Sequence, residues 1–208
     1  YHNYEGKPGY RMMRELLNQK GINLSAQTVR RYMNIELNLK SLTRKVKRYN
    51  YKKGGNPYAV FENLLNRDFV PSCRDKTWCT DFTFIYLSNA KRMNSELAIK
   101  TVTKAMERRN SPKGVILHSD RGSQFSSKDF VKFCKKKKII QSMSKPGCPY
   151  DNSPMDRYFK TLKSEQLKLH NYDTEEQLYE AVNTFAYGWY NNVRPHSFNE
   201  GLPPAKVV

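Results

Sequence analysis

Three short runs rich in β-branched and aromatic residues, alternating with helical patterns, restrict this chain to few architectures. TWCTDFTFIYL reads as a strand near 78–87, GVILHSD as a short buried strand over 114–120, and KKIIQSM as a strand over 137–143. Between the first two, SELAIKTVTKAMERR puts Leu97, Ala98, Val102 and Ala105 on one face of a helix over 95–109. Between the second and third, Ser127 opens a helix with Phe130, Phe133 and Cys134 at i, i+3 and i+4. Strands alternating with helices predict an α/β sheet with parallel neighbours. Asp81 lies in the first of these strands and Asp120 ends the second. Strand ends hold side chains rigidly, which suits groups that do chemistry.

The flanks read differently. SKPGCPYDNS is a Pro/Gly/Asn loop, and a helix follows Ser153 with Pro154 placed as its first residue. Ser153 and Asp156 fit a Ser-x-x-acid capping box, and an acid there also suits the helix dipole. Asp151 reads as turn chemistry, and Glu165 as a solvated residue more than two turns along. From Thr174 a long amphipathic helix is predicted, with Leu178, Ala181, Val182, Phe185, Ala186 and Trp189 at three-to-four spacing. Near the start, Tyr10, Met13 and Leu17 mark a helix that Gly21 closes, and Ser25 caps a second with Val29 and Met33 stacked. Two short helices around a Gly-containing turn suggest a helix-turn-helix with Arg30 and Arg31 on its exposed side; the plainer alternative is a helical hairpin with a solvated basic face. Residues 38–57, NLKSLTRKVKRYNYKKGGNP, read as a basic linker able to track phosphates, with Tyr49 and Tyr51 available to stack or to pack. The expected division is a DNA-binding module over 1–37, a basic linker over 38–70, and a core with a C-terminal helix over 71–208.

Charge points to partners rather than to fold. The chain carries 37 Lys+Arg against 19 Asp+Glu, a net of +18, and the first 54 residues hold +10 of it. A polyanion is the expected partner, because each neutralised phosphate releases counterions. The four cysteines form no CxxC pair, so a zinc site or a disulfide framework is not expected, and reduced thiols in a cytosolic protein are. No apolar run approaches a membrane span. The chain begins at Tyr1 rather than Met, so its start is expected to be missing; no leader for export is expected.

Cleaving a phosphodiester needs an anionic nucleophile and a stabilised leaving oxygen, and two hard cations do both. Mg²⁺ wants oxygen ligands, so carboxylates must converge from different elements. Asp81, Asp120 and Asp156 lie on two strands and a following helix, and can do so.

TDFT, HSDRGSQF, SMSKPGCPYDNSPMDRYFKTLKSE and YNNVRPH resemble the transposases of the bacterial IS3 group of insertion sequences, over nearly the whole chain. The resemblance implies an α/β core of the retroviral-integrase, ribonuclease-H-like type preceded by a helix-turn-helix. The spacing fits: 35 residues separate Asp120 from Asp156, the interval this family keeps, and Lys163 stands seven positions on, where the family places a basic residue. It implies that Asp81, Asp120 and Asp156 are the catalytic and metal-binding acids of a DDE-type transposase. Lys160 and Lys163 are expected to hold DNA beside them, adding to Arg30 and Arg31. His118, Ser119, Arg121 and Gln124 frame the second acid, and Tyr150 and Asn152 frame the loop before the third. His118 is expected to orient Asp120, His196 to pack nearby, and neither to bind metal. The implied cofactor is Mg²⁺, two ions, with Mn²⁺ as a substitute. The implied partners are double-stranded DNA, as element ends and target, and further copies of the chain assembled on it, in a bacterial cytoplasm, at the nucleoid, with no membrane.

Two features depart from the family. Its third acid is a glutamate, and Asp156 falls short by one methylene. Only 38 residues lie between Asp81 and Asp120, where the family carries roughly twenty more, forming two further antiparallel strands. The join near Asn94–Ser95 reads as an internal deletion that leaves the first strand as a sheet edge. The expected function is metal-dependent DNA cleavage and strand transfer, impaired by that deletion. The alternative is a catalytically defective DNA-binding remnant. A nuclease for RNA–DNA hybrids is disfavoured by the N-terminal module and the 144–165 motif.

Overall fold

The computed structural model describes residues 1–41, 59–85 and 95–207. Tyr49, Tyr51, the end of the first predicted strand and Asn94 lie outside these residues. In chain order the elements are α1 (Tyr10–Asn18), α2 (Ala26–Arg31), β1 (Thr77–Cys79), α3 (Ser95–Arg108), β2 (Ile116–Ser119), α4 (Ser123–Ser126), α5 (Lys128–Lys136), β3 (Ile140–Met143), α6 (Ser153–Leu162) and α7 (Glu175–Asn183). The architecture is mixed α/β with a small parallel sheet and a helical N-terminal portion, as expected. None of the described helices is long and apolar enough to cross a membrane. Contacts divide the chain into two compact units, Tyr49–Phe159 and Tyr1–Arg48 with Lys160–Val208.

The first unit holds the sheet. Its order is β1-β2-β3, all parallel, with Cys79 opposite His118 and Ser119 opposite Met143. Among the described residues β1 is paired on one side only, and no strand stands between it and α3. β1 is shorter than its β-rich sequence predicts because a strand extends only as far as its neighbour. β2 ends at Ser119, and the last rung is the bond from Thr80 N to His118 O, 2.8 Å. Asp81 therefore lies two residues past β1 rather than within it.

Leu117 and Met143 from the sheet meet Ala98, Val102 and Met106 of α3 and Phe125, Phe130 and Cys134 of α4 and α5 in one buried cluster. The α3 face runs at i, i+4, i+8 and leaves Leu97, a predicted face residue, 42% exposed. Arg109, just after α3, makes a two-pronged pair with Asp75, whose other bond is from Trp78 Nε1, so the helix end is fastened to the approach to β1.

Ser127 caps α5 as predicted, its hydroxyl accepting from Phe130 N. The α5 C-terminus explains why β3 starts late. Ile139 N bonds Cys134 O and Lys138 takes a left-handed backbone, φ 56°. This Schellman ending consumes residues 137–139, which the sequence assigns to a strand. Its left-handed position favours glycine, and a side chain there costs roughly 1–2 kcal/mol.

In the second unit α1 and α2 pack through Met13, Val29 and Met33, with Ser25 capping α2 through Thr28 N. Gly21 closes the turn at φ 79°. Thr174 caps α7, but regular helix ends at Asn183 and a wider π-type coil carries the chain to Tyr190, with Phe185 buried. Glu165 corrects its sequence reading. It is mostly buried, forms a two-pronged pair with Arg194 and accepts from Trp189 Nε1 at 3.0 Å.

Candidate active site

Two of the three predicted acids follow the C-terminal ends of two neighbouring parallel strands. Cys79 opposite His118 is the last pair of that register, and Asp81 and Asp120 each follow two residues later, beyond the paired residues. Both acids are half-buried. Each is steadied by the backbone just after it: Asp81 Oδ1 accepts from Phe82 N at 2.7 Å, and Asp120 Oδ1 from Gly122 N at 2.9 Å. A Cβ at Gly122 would stand 2.9 Å from Asp120 Oδ1 and would require the Gln124 side chain to move.

Beneath Asp120 lies His118, fully buried between two serines that follow one another on the same face of the neighbouring strand. Its Nδ1 meets Ser142 Oγ at 2.8 Å and its Nε2 meets Ser144 Oγ at 3.1 Å. Ser142 Oγ also accepts from Leu64 N. Burial holds the imidazole below its usual pKa, so it stays neutral near pH 7. Arg121 reaches across to Ser144 O, 3.0 Å. Both residues flanking the strand end are thus tied to β3 and its continuation.

The third acid enters through the loop 145–152. Asp151 corrects its sequence reading as simple turn chemistry: it is 2% exposed, accepts from Arg67 Nε at 2.8 Å and from Lys145 N at 3.0 Å. The Arg67 guanidinium, then the Lys145 N–H, hold its carboxyl below the usual carboxylate range. Asn152, 6% exposed, donates Nδ2 to Thr80 O at 3.1 Å, next to Asp81. Its Oδ1 is buried and has no hydrogen-bond partner among the described residues. Asp156 is one turn further along, in the first turn of α6, and half-buried. Ser153 has helical backbone, φ −58° and ψ −31°, continuing a 3₁₀ turn over Pro149–Asn152. A helix N-cap needs extended backbone, so the capping box read for Ser153 and Asp156 is not formed.

Three hard oxygen donors suit Mg²⁺ in kind. Among the described residues, however, no group of three His, Cys, Asp or Glu side chains is gathered closely enough to hold a metal ion. Asp81, Asp120 and Asp156 are thus not gathered into a three-donor set.

The predicted DNA-contacting residues are distributed. Lys160 is exposed on α6 and Lys163 half-buried just after it, both within the second unit. Arg30 is exposed, while Arg31 pairs with Glu36 at 3.1 Å and lies over the Tyr32 ring. The four cysteines are free thiols.

Arg67, Asp151 and the anchoring role of Asn152 are what sequence reasoning missed or left vague. The strands and loops that gather them are distant in sequence, and Arg67 lies in a stretch read as linker. The one available signal was an acid–amide pair, Asp151-Asn152, directly before a helix bearing a candidate catalytic acid.

Two family models described as "Integrase core domain" match this chain, over residues 84–149 and 137–204. Transposase InsF for insertion sequence IS3A of Escherichia coli K12 is 32% identical over 183 residues, covering 78% of this chain and 63% of the relative. The insertion element IS600 uncharacterized 31 kDa protein of Shigella sonnei is 30% identical over 167 residues, covering 70% and 61%. The chain thus spans less than two thirds of the length of these relatives. Both alignments are longer than the part of this chain they cover, about 162 and 146 residues, so about 20 aligned positions have no residue here. Among solved structures, a simian T-cell lymphotropic virus intasome in complex with PP2A regulatory subunit B56 gamma matches with TM-score 0.48 and 16% identity, covering 88% of this chain and 66% of that one.

Proposed function

We propose a function for a chain that belongs to the IS3 family of insertion-sequence transposases with an integrase core: divalent-metal-dependent cleavage of DNA phosphodiesters and transfer of the cut strand. The observation that carries it is the parallel pairing of β1 with β2, with Cys79 opposite His118, since Asp81 and Asp120 each follow two residues after that last pair. Asp81 and Asp120 would hold the metal, and Asp156 is the third ligand position of a DDE set. When bound, Mg²⁺ supplies the charge that activates an attacking oxygen and stabilises the leaving one, the role two ions play in related chemistry.

The chain's own residues prepare this site. Phe82 N and Gly122 N fix one oxygen of Asp81 and of Asp120. His118, neutral and pinned by Ser142 and Ser144, keeps β2 aligned beneath Asp120. Asn152 ties the start of α6 to the strand end beside Asp81, and Arg67 and Asp151 close the loop that delivers it. DNA, as element end and target, would be held by Lys160 and Lys163, and by Arg30 and Arg31 on a helix-turn-helix formed by α1 and α2. Further copies of the chain would assemble on the paired ends, in the bacterial cytoplasm at the nucleoid.

The chemistry is weakened in this chain. The two alignments leave about 20 positions unmatched, which fits a segment missing between Asp81 and Asp120. β1 is correspondingly an edge among the described strands. Asp156 is shorter than glutamate by one methylene, and a misplacement of about 1 Å at a reacting centre costs about a hundredfold in rate. The second reading is a DNA-binding remnant without catalysis, favoured by the unassembled three-donor set. Purified protein, Mg²⁺ or Mn²⁺ and a labelled element end decide between them. Slow joining that vanishes in Asp120→Asn supports the enzyme; salt-sensitive binding with no metal-dependent product supports the remnant.

A further inference from the structure

We infer that the outer face of α5 and the turn after it form a second binding surface for the phosphate backbone of duplex DNA, leading away from the acids. Residues 128–138 include six lysines, Lys128, Lys132, Lys135, Lys136, Lys137 and Lys138, against one acid, Asp129. All six are exposed. The first four recur at i, i+4, i+7 and i+8, one stripe of α5, while the buried Phe130, Val131 and Cys134 occupy the opposite side. Among the described residues none of the six ammonium groups is in an ion pair. A solvated helix face ordinarily intersperses both signs; this one does not.

The stripe has a direction. α5 joins the C-terminal end of β2 to the start of the parallel β3, so it runs against the strands. Lys138 O accepts from Gly114 N, two residues before β2, whereas Asp120 lies past the end of that strand. Over about 1.5 Å per residue the lysines cover roughly 12–15 Å, and a duplex presents one charge per about 1.7 Å of axis. The stripe can therefore follow several phosphates of one duplex segment from near the acid end to the far end of the sheet.

Lys138 supplies an independent observation. It holds the left-handed position of the Schellman turn, φ 56°, where glycine is unstrained and is the ordinary occupant. Its side chain is exposed and in none of the ion pairs among the described residues. A lysine rather than a glycine at this position adds one more exposed positive charge to the turn.

This inference rests on the reading that the chain acts on DNA, and goes beyond the arginines and lysines assigned above. The test is fluorescence anisotropy of a labelled random-sequence duplex of about 20 base pairs across a KCl series, with thermal melts. Replacing Lys132, Lys135 and Lys136 together by Gln is expected to flatten the log K against log salt slope by about 2–3, at about 0.9 per lost contact, with an unchanged melting temperature. Lys138→Gly is expected to raise the melting temperature while weakening binding and flattening the slope by about 0.9. A Lys138→Gly protein that is more stable but binds equally well, together with an unchanged slope in the triple variant, overturns the inference. So does displacement of the duplex from this face by polyglutamate as readily as by unlabelled duplex. If the wild-type chain binds no duplex, this surface and the proposed function fall together; if it binds but Asp120→Asn changes nothing in the cleavage assay, only the enzymatic reading falls.

Discussion

Replacing Asn152 by alanine separates anchoring from folding. Asn152 makes one good bond, Nδ2 to Thr80 O at 3.1 Å, and carries one buried, unpartnered Oδ1. Losing the bond costs about 0.5–1.5 kcal/mol, and the half-exposed Thr80 carbonyl can turn to water. Removing the orphaned oxygen returns about 1–3 kcal/mol. The two nearly cancel, so Asn152→Ala is expected to unfold in urea within about 1 kcal/mol of wild type, on either side. The site responds differently. The amide is the direct tie between the start of α6, which carries Asp156 one turn on, and the strand end that carries Asp81. Supporting residues of this kind are worth about 10–100-fold in metal affinity or activity. Mn²⁺ affinity by calorimetry, and any element-end cleavage, should fall by that order in the variant. A destabilisation beyond about 2 kcal/mol would make Asn152 a structural post, and an unaltered Mn²⁺ affinity would remove it from the site; either result refutes the reasoning.

Two further outcomes follow from the same geometry. Burial holds His118 below the usual 6.5, so between that value and its lower folded one the unfolded chain binds more protons than the folded chain. Stability should be full above about pH 6.5 and fall as the pH drops through this window, by at most about 1.4 kcal/mol per pH unit; chemical denaturation across pH 5–7.5 should show His118→Gln with a flatter profile. Asp156→Glu restores one methylene of reach and should raise Mn²⁺ affinity and cleavage, by about tenfold; a lower affinity would show that the α6 position, not side-chain length, is limiting.

What could be read from the sequence was whatever depends on near neighbours. The alternation of strands and helices, the burial of Ala98 and Val102 on α3 and of Phe130 and Cys134 on α5, and the caps at Ser25, Ser127 and Thr174 are set within a few residues, and they appear in the structure. Strand ends were not legible, because β1 stops where β2 stops and β3 begins only after a helix has been closed by Lys138. Asp151 looked like turn chemistry because its partner, Arg67, is 84 residues away. Glu165 looked solvated because Arg194 is 29 residues away. The Ser153–Asp156 capping box failed for a local reason that composition does not carry: a 3₁₀ turn runs straight into α6 and leaves no extended residue to serve as the cap. That Asp81 and Asp120 follow neighbouring strands depends on the parallel order of the sheet, and the role proposed for Asp156 rests on family spacing alone.

Asp81 and Asp120 are proposed to hold a divalent ion jointly. Mn²⁺ binding followed by electron paramagnetic resonance, in wild type and in Asp81→Asn, Asp120→Asn and Asp156→Asn, tests it directly. Saturable binding that is lost in the first two variants and weakened in the third is the predicted result. Binding that persists at wild-type strength in Asp120→Asn, with the fold intact, would contradict it.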